Sequence, residues 1–417
     1  MANFDILILS NGPGEITTWV MPVVREIKER LADNFQDVRV SLVLSPCPNG
    51  TGNEANIARG CDGIHRVQSA EHFFPFLLWG KTADNWDWYQ NGVVLFLGGD
   101  QFFTVVTAKR LGYQSIVYAE WDARWWRYID YFALMNASLK DKIPSRFHHK
   151  MTVVGDLMAD VPTLEDDNYA GFHLGLFPGS KSSKLTQGVP FLSAIAHYIH
   201  KKNPEIKFSI PVAPTISTEI LASYGDSKKN KFVKTFANLD IKLITKNDHQ
   251  YLQISDDLTI QLIDKFPCYQ EIKNFNICLT TVGANTAQLA SLGVPMIVLI
   301  PTYQLDAMKS WDGILGILIN LPWLGSTVAK LMNWLIIQYT IKNNKLYAWP
   351  NIWAKKEIVP ELIGHLKVAD IGDMILDFYH NPHKLEKIKN DLRAVTGDKG
   401  ASQKIVDLII KSMNQFK

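Results

Sequence analysis

The stretch TTVGANTAQLASLGVPMIVLIP, residues 280–301, decides the fold class. ICLTT (277–281) is short and apolar enough for a buried strand, and Gly283 turns the chain at its end. NTAQLAS reads as one short helix, Gly293 ends it, and PMIVLI is a second buried strand. Strand, helix and strand at this spacing predict a βαβ unit with parallel strands. The turn before the helix carries no lysine, arginine or carboxylate. It is a neutral cradle, and what it offers a ligand is backbone N–H groups at a helix N-terminus.

The same alternation runs outward in both directions. FHLGLFPGSK reads as a strand entering a turn, 191–202 as a helix and KFSIPVA as the next strand. Earlier still, FDILILS is a strand, and Val20, Val23, Val24, Ile27 and Leu31 predict a helix over 18–32. VRVSLVLS, VVLFLGGD, SIVYAE and MTVVGD are further strands, with a short helix over 103–111. The polar run LEDDNYA (164–170) separates the two series. The expected organisation is two Rossmann-like, doubly wound α/β domains, 1–165 and 171–366, facing a cleft, followed by C-terminal helices over 367–417. Ligands of such sheets bind beyond the carboxyl ends of the strands, so the loops there hold the candidate site residues.

Composition narrows the function. A formal net charge of +2 on 417 residues gives no basic footprint, so no nucleic-acid partner is expected. Cys47, Cys61, Cys268 and Cys278 form no CxxC pair and no zinc spacing, and His148-His149 reads as a loop pair, so no metal is expected. Few scattered cysteines and no basic n-region ahead of FDILILS suit a reduced, cytoplasmic setting. Two apolar stretches stand out: HFFPFLLWG (72–80), followed by Trp86 and Trp88, and GILGILINLPWLGSTVAKLMNWLIIQY (313–339). Pro322, Gly325, Lys330 and Asn333 interrupt the second. Its readings are a segment dipping into a membrane surface, a buried core or dimer contact, and a spanning helix.

Several loops carry candidate chemistry. In SNGPGE (10–15), Gly12 and Gly14 let backbone N–H groups approach a ligand ahead of Glu15, or make a tight turn. Asp100, after Gly98-Gly99 at a strand end, is a candidate general base and also a candidate helix N-cap. In FPGSK, Gly179, Ser180 and Lys181 offer backbone donors, a hydroxyl and a cation that suit a diphosphate. YAEWDARWWRYID (118–130) sets Glu120, Asp122, Arg124 and Arg127 among tryptophans, as an acceptor or membrane-surface region or as a helix with cation–π pairs. YAWPNIWAKKEIVPELIG (347–364) reads as polar and aromatic, then helical, with Asn351 and Glu357 able to hydrogen-bond a sugar or simply to cap and solvate.

Taken in order, these pieces resemble the lipid-A-disaccharide synthase family, inverting GT-B glycosyltransferases that use UDP-sugars, in its divergent cyanobacterial and plastid-type branch. SNGPGE stands at the family's glycine-rich turn, and LFLGGD resembles its strand ending in the Asp proposed as catalytic base, which falls on Asp100. VVGDLMAD is similar to its inter-domain segment IGHxMAD, and FPGSK to its LPGSR. TTVGANTAQLASLGVPMIV resembles ASGTAxLEAxLxxxPMVV, and WPNIWAKKEIVPELI resembles LPNLLAGRxIVPELL, carrying over Asn351, Glu357 and Glu361. The resemblance implies transfer of a sugar, with UDP-GlcNAc the expected donor, to a lipid-type acceptor at a membrane surface, as in lipid A biosynthesis. It implies no cofactor, allows a homodimer, and makes the chain a peripheral membrane protein. It places the donor at Gly179, Ser180, Lys181, Gly283, Ala284, Asn285 and Gln288, with 72–80 at the membrane. Lys181 replaces the family's arginine and loses its bidentate fork. Val282 and Ala284 replace a serine and a threonine, and Gln288 replaces the carboxylate that binds the donor ribose. These changes motivate a second reading, a catalytically silent GT-B binding or scaffold protein. A UDP-GlcNAc 2-epimerase-like isomerase is a third.

Overall fold

The computed structural model describes residues 3–32, 37–47, 50, 52–160, 171–236, 239, 241–301, 346–396 and 400–415. The apolar stretch 313–339 and the expected linker 164–170 lie outside the described residues. The chain divides into two compact units, Met1–Val161 with Gly397–Lys417, and Pro162–Thr396.

The first unit is built on one parallel sheet. Its strands are β1 (Phe4–Ser10), β2 (Val38–Leu44), β3 (Arg66–Gln68), β4 (Asn91–Phe96), β5 (Gln114–Ala119), β6 (Tyr131–Leu134) and β7 (Met151–Val153). They lie in the order 3-2-1-4-5-6-7, every neighbouring pair parallel. Every residue of β1 is buried, as expected of an apolar strand covered on both faces. Order reverses between β1 and β4, which are hydrogen-bonded neighbours, so the loops after these two strands flank the switch point. The first helix begins earlier than the apolar spacing predicts. It opens with a turn at Pro13–Glu15 and a π-helical segment at Ile16–Val20 before the regular helix Met21–Arg30. Thr17 and Thr18 hydroxyls both donate to the Gly14 carbonyl in this opening turn, at 3.0 and 2.8 Å.

The unit is closed by the end of the chain. Helices expected together over 367–417 divide: Val368–His380 and Pro382–Val395 belong to the second unit and Ala401–Asn414 to the first. Asp160 caps that last helix, its two carboxylate oxygens accepting from Gly400 N at 3.0 Å and Ser402 N at 2.6 Å. At the amino-terminal end of the interior strand β1, the buried Asp5 is held by Arg39 through two bonds of 2.7 and 2.9 Å. Tyr113 Oη and Tyr89 N complete its shell, each at 2.7 Å.

The second unit repeats the plan with an added hairpin. Its strands are β8 (His173–Phe177), β9 (Lys207–Pro211), β10 (Lys242–Lys246), β11 (His249–Gln253), β12 (Thr259–Ile263), β13 (Ile277–Thr281), β14 (Met296–Pro301) and β15 (Glu361–Gly364). Their order is 10-11-12-9-8-13-14-15. From β12 to β15 all pairs are parallel, which is the same doubly wound order as in the first unit, and its switch point lies between β8 and β13. β10 and β11 form an antiparallel hairpin on the β12 edge. The segment expected to be helical after 354 instead becomes β15, because Glu361 falls opposite Val298 and the row 361–364 completes the β14 edge.

The helix predicted over 191–202 runs from Ser182 to Lys202 and contains Pro190. A proline there leaves the Thr186 carbonyl without its helical donor. Asn230 Nδ2 supplies one at 2.6 Å, so the helix continues through the proline. Its Gly188 lies so close to the Pro178 carbonyl that a Cβ would stand 2.6 Å away. That close approach holds the loop after β8 against the helix.

Candidate functional site

In the first unit, the loops after β1 and β4 meet at the switch point. A Cβ on Gly12 would overlap the Glu15 carboxylate, and one on Gly98 would meet Asn11 Oδ1 at 2.8 Å and Glu15 Cγ at 3.3 Å. Glu15 therefore folds between the two glycines. Asn11 Oδ1 accepts from Gly12 N at 2.8 Å, and Gly14 is partly buried beside them.

Asp100 N-caps the helix Gln101–Leu111, Oδ1 accepting from Phe102 N at 2.9 Å. Among the described residues Oδ2 carries no hydrogen bond, so the cap occupies one carboxylate oxygen and leaves the other. Arg124 Nη2 lies 3.9 Å from Asp100 Oδ1. The buried Gln101 positions that arginine: it donates to Asp122 O at 2.9 Å and accepts from Arg124 N at 2.8 Å. Residues 121–129 are a loop rather than a helix, and the expected cation–π pairing with these tryptophans is not among the described contacts.

Glu120 follows β5 directly. Burial, reinforced by the neighbouring charges of Asp156 and Glu15, pushes its carboxyl up to about 7. Asp156, only 8% exposed, is pushed up to about 6 by burial. Its Oδ1 accepts from Met158 N at 2.8 Å, while Oδ2 has no partner among the described residues. Sequence reasoning placed Glu120 in an acceptor region without seeing this pairing. The available signal was the rule applied to Asp100, a carboxylate directly after a buried strand.

In the second unit, Pro178–Lys181 follows β8 and 282–283 follow β13, again either side of the switch point. Gly179 is left-handed at φ +99°. Gly283 caps the helix Ala284–Ser291 at φ 155°, ψ −171°, a region open essentially to glycine alone. Ser180, Lys181, Ala284, Asn285 and Gln288 are all partly exposed around this crevice. Among the described residues the Asn285 and Gln288 amides have no side-chain hydrogen bond. Lys184, which the sequence reading passed over, reaches into the same place. Its Nζ donates to Val282 O at 2.7 Å and approaches Thr281 Oγ1 at 3.4 Å.

Two carried-over residues do other work. Asn351 is fully buried, donating to Val359 O at 2.9 Å and Glu361 Oε1 at 2.8 Å. It accepts from Ile358 N at 2.7 Å and Val359 N at 2.9 Å. Its hydrogen-bonding capacity is spent inside the protein, so the sugar contact expected of it is replaced by a structural role. Glu361 likewise accepts from Ala348 N at 2.8 Å. Glu357 is exposed, with Oε1 accepting from Glu361 N at 3.3 Å.

The stretch 72–80 folds as the helix Phe73–Trp79, closed by a left-handed Gly80. Phe73, Phe76 and Leu77 face the core, whereas Phe74, Leu78 and Trp79 are 52, 56 and 67% exposed. Arg110 donates to carbonyls at its end, Phe76 O at 2.8 Å, which also accepts from Gly80 N, and Leu78 O at 2.9 Å. Trp86 and Trp88 are partly buried, stacked under Arg66, and do not extend this apolar face. His148 Nε2 bonds to Lys140 O and Ile143 O at 3.0 and 2.9 Å. No cluster of metal-ligating side chains occurs among the described residues. No helix among them is long and apolar enough to cross a membrane.

Comparison with known proteins adds the following. No protein-family model matches the chain. A Persephonella marina protein named lipid-A-disaccharide synthase is 24% identical over 239 residues, 56% of this chain and 49% of that protein. A Geobacter sulfurreducens protein of the same name is 22% identical over 279 residues, 64% of this chain and 58% of that protein. The chain thus spans about half the length of the curated relatives it matches. Among solved structures, the S. aureus MnaA–UDP complex aligns over 99% of this chain and 97% of its own, with TM-score 0.53 and 9% identity. A Listeria monocytogenes protein assigned as a UDP-N-acetylglucosamine 2-epimerase aligns over 100 and 98%, with TM-score 0.51 and 11% identity. The fold is GT-B, and the sequence likenesses fit a divergent relative of lipid-A-disaccharide synthase.

Proposed function

We propose that the chain is an inverting glycosyltransferase that moves a sugar, N-acetylglucosamine by expectation, from a UDP-sugar to a lipid-type acceptor. The observation that carries this reading is the crevice at the β8/β13 switch point. Two glycine turns, two helix N-termini and a lysine converge there with no carboxylate among the described contacts. Such a place suits a diphosphate. Leaving-group charge develops on the diphosphate, and donors already aimed there lower the barrier. Gly179, Ser180, Lys181, Gly283, Ala284 and Asn285 line the donor side, with Gln288 toward the ribose. Asp100 takes the proton of the acceptor hydroxyl through Oδ2, and Arg124 steadies the carboxylate. The exposed Phe74, Leu78 and Trp79 rest on the membrane surface that presents the lipid.

Turnover by Asp100→Asn tests the base. Asparagine caps a helix about as well as aspartate, so the fold is retained. Activity with UDP-GlcNAc and a lipid acceptor is expected to fall by about 10²–10⁴; undiminished turnover would remove Asp100 from the mechanism.

A UDP-GlcNAc 2-epimerase-like reaction is the second reading, favoured by Glu120, a partly exposed acid raised to about 7 just beyond the carboxyl end of β5. Incubating the protein with UDP-GlcNAc and following ManNAc by NMR separates the two. Its appearance without an acceptor supports the isomerase.

A further inference from the structure

Lys184 stands in the first turn of the helix Ser182–Lys202, yet its ammonium crosses to the end of β13, 98 residues away in sequence. Glycine makes the crossing possible. A Cβ on Gly179 would stand 3.0 Å from both Cβ and Cδ of Lys184, whereas one on Gly283, 3.9 Å from Nζ, would make an ordinary contact and only marks the ammonium as lying beside that turn. The partners that hold Nζ are a carbonyl and a hydroxyl, dipoles without a counter-charge.

No carboxylate acts on the Lys184 ammonium: the helix Val368–His380, packed on Ser182–Lys202, carries Asp370, Asp373 and Asp377, but Asp373 pairs with Lys202 at the other end of that helix and Asp377 with Lys384. Neither this helix nor Ala284–Ser291 has an acidic residue in its first turn, and 280–291 carries no charged side chain. The helix Trp349–Ala354, packed on Ala284–Ser291, is uncharged, with Lys355, Lys356 and Glu357 exposed beyond it. The segment 230–236, packed on the Ser182–Lys202 helix, brings Lys231 and Lys234. Lys181 is the charged neighbour that acts on Lys184, and it has the same sign. Burial first, and Lys181 second, pull the Lys184 ammonium down to about 8. A desolvated cation at the positive ends of two helices, with no anion beside it, is destabilised until an anion arrives.

We propose that Lys184 is the counter-ion of the donor diphosphate, and that the diphosphate enters with uptake of a proton by Lys184 Nζ. The neutral amine takes one proton from solvent and becomes the ammonium that pairs with the phosphate oxygens; no other bond changes. This rests on the reading of the second unit as the nucleotide-sugar unit. It adds a residue outside the FPGSK motif and a pH signature that backbone donors alone do not produce.

The test is calorimetric titration of the full chain with UDP at pH 7 and pH 9, each in two buffers of different ionisation enthalpy. Uptake of about one proton is expected at pH 9 and about a tenth of one at pH 7. Lys184→Met abolishes the uptake and weakens UDP at pH 7 by about tenfold or more. Lys184→Arg retains binding without uptake, and Lys181→Met retains uptake at pH 9, lessened because the like charge that lowers Lys184 is gone. UDP binding by the wild type with no proton uptake at pH 9 overturns the assignment while leaving the nucleotide-sugar reading intact. That result needs no variant to fold. Failure of the wild type to bind UDP at either pH overturns both.

Discussion

Glu120→Gln is expected to stabilise the protein, and only above mildly acidic pH. In the folded chain the Glu120 carboxyl is pushed from an ordinary 4.5 to about 7, by burial first and then by Asp156 and Glu15. The folded form therefore holds this proton more tightly than the unfolded form. Below about pH 4.5 both forms are protonated and the site costs nothing. Between about 4.5 and 7 the unfolded form ionises first, so stability falls as pH rises, and above 7 the penalty is constant. Ionising a carboxyl against a shift of that size costs on the order of 3 kcal/mol. Glu120 is partly exposed, so solvent screening leaves about 1–2 kcal/mol. Glutamine keeps the shape and removes the charge. Urea denaturation of wild type and Glu120→Gln, followed at pH 4.5 and pH 8, reads the effect: near-equal midpoints at the lower pH and a higher midpoint for the variant at pH 8. Because the Asp156 charge is one of the causes that raise Glu120, Asp156→Asn should recover part of the same gain. A variant no more stable than wild type at pH 8, or equally stabilised at both pH values, would refute the electrostatic account of this corner.

Three other outcomes follow from the contacts. Asn351→Ala leaves the buried N–H groups of Ile358 and Val359 without acceptors and should cost about 3 kcal/mol or more in chemical denaturation. A loss of donor affinity with unchanged stability would return the residue to the site. Asp5→Ala removes the buried acceptor shared by Arg39, Tyr113 and Tyr89 N, leaving Arg39 with Asp87 and Tyr113 with Tyr89 O, and should cost about 3 kcal/mol; a change under about 1 kcal/mol would show that the cluster contributes little. Replacing Phe74 and Trp79 together with serine should leave thermal stability nearly unchanged, because both side chains are exposed, while reducing co-sedimentation with anionic lipid vesicles. Equal vesicle binding would end the membrane reading of that helix.

The strands that carry the two switch points were legible because they are continuous apolar runs: FDILILS, VVLF, HLGLF and ICLTT each became a buried strand. The true start of the helix read over 191–202 was not legible, since the chain stays helical through Pro190 only with repair by Asn230, a residue outside the helix. The β10–β11 hairpin was missed because its strands are polar. Yet Asn247-Asp248, both left-handed at φ 49° and 61°, were the two-residue turn that marks it. The candidate loops were legible for a similar local reason: glycines follow each of these strands, joined by a carboxylate after β1 and β4 and by a lysine after β8. What was not legible depends on distant groups. Nothing in SKSSK says that Lys184, not Lys181, reaches the β13 turn, and nothing in YAEW says that Asp156 will desolvate and charge the corner around Glu120. Asn351 shows the converse: a motif resemblance carried the residue, and four internal hydrogen bonds explain its presence without a ligand.

The central claim is that the second unit holds the nucleotide diphosphate at the β8/β13 crevice. Hydrogen exchange of the full chain with and without UDP-GlcNAc measures this directly. Slowed exchange concentrated in 178–186 and 281–289 is the predicted result. Protection confined to other segments, with these two loops unchanged, would contradict it.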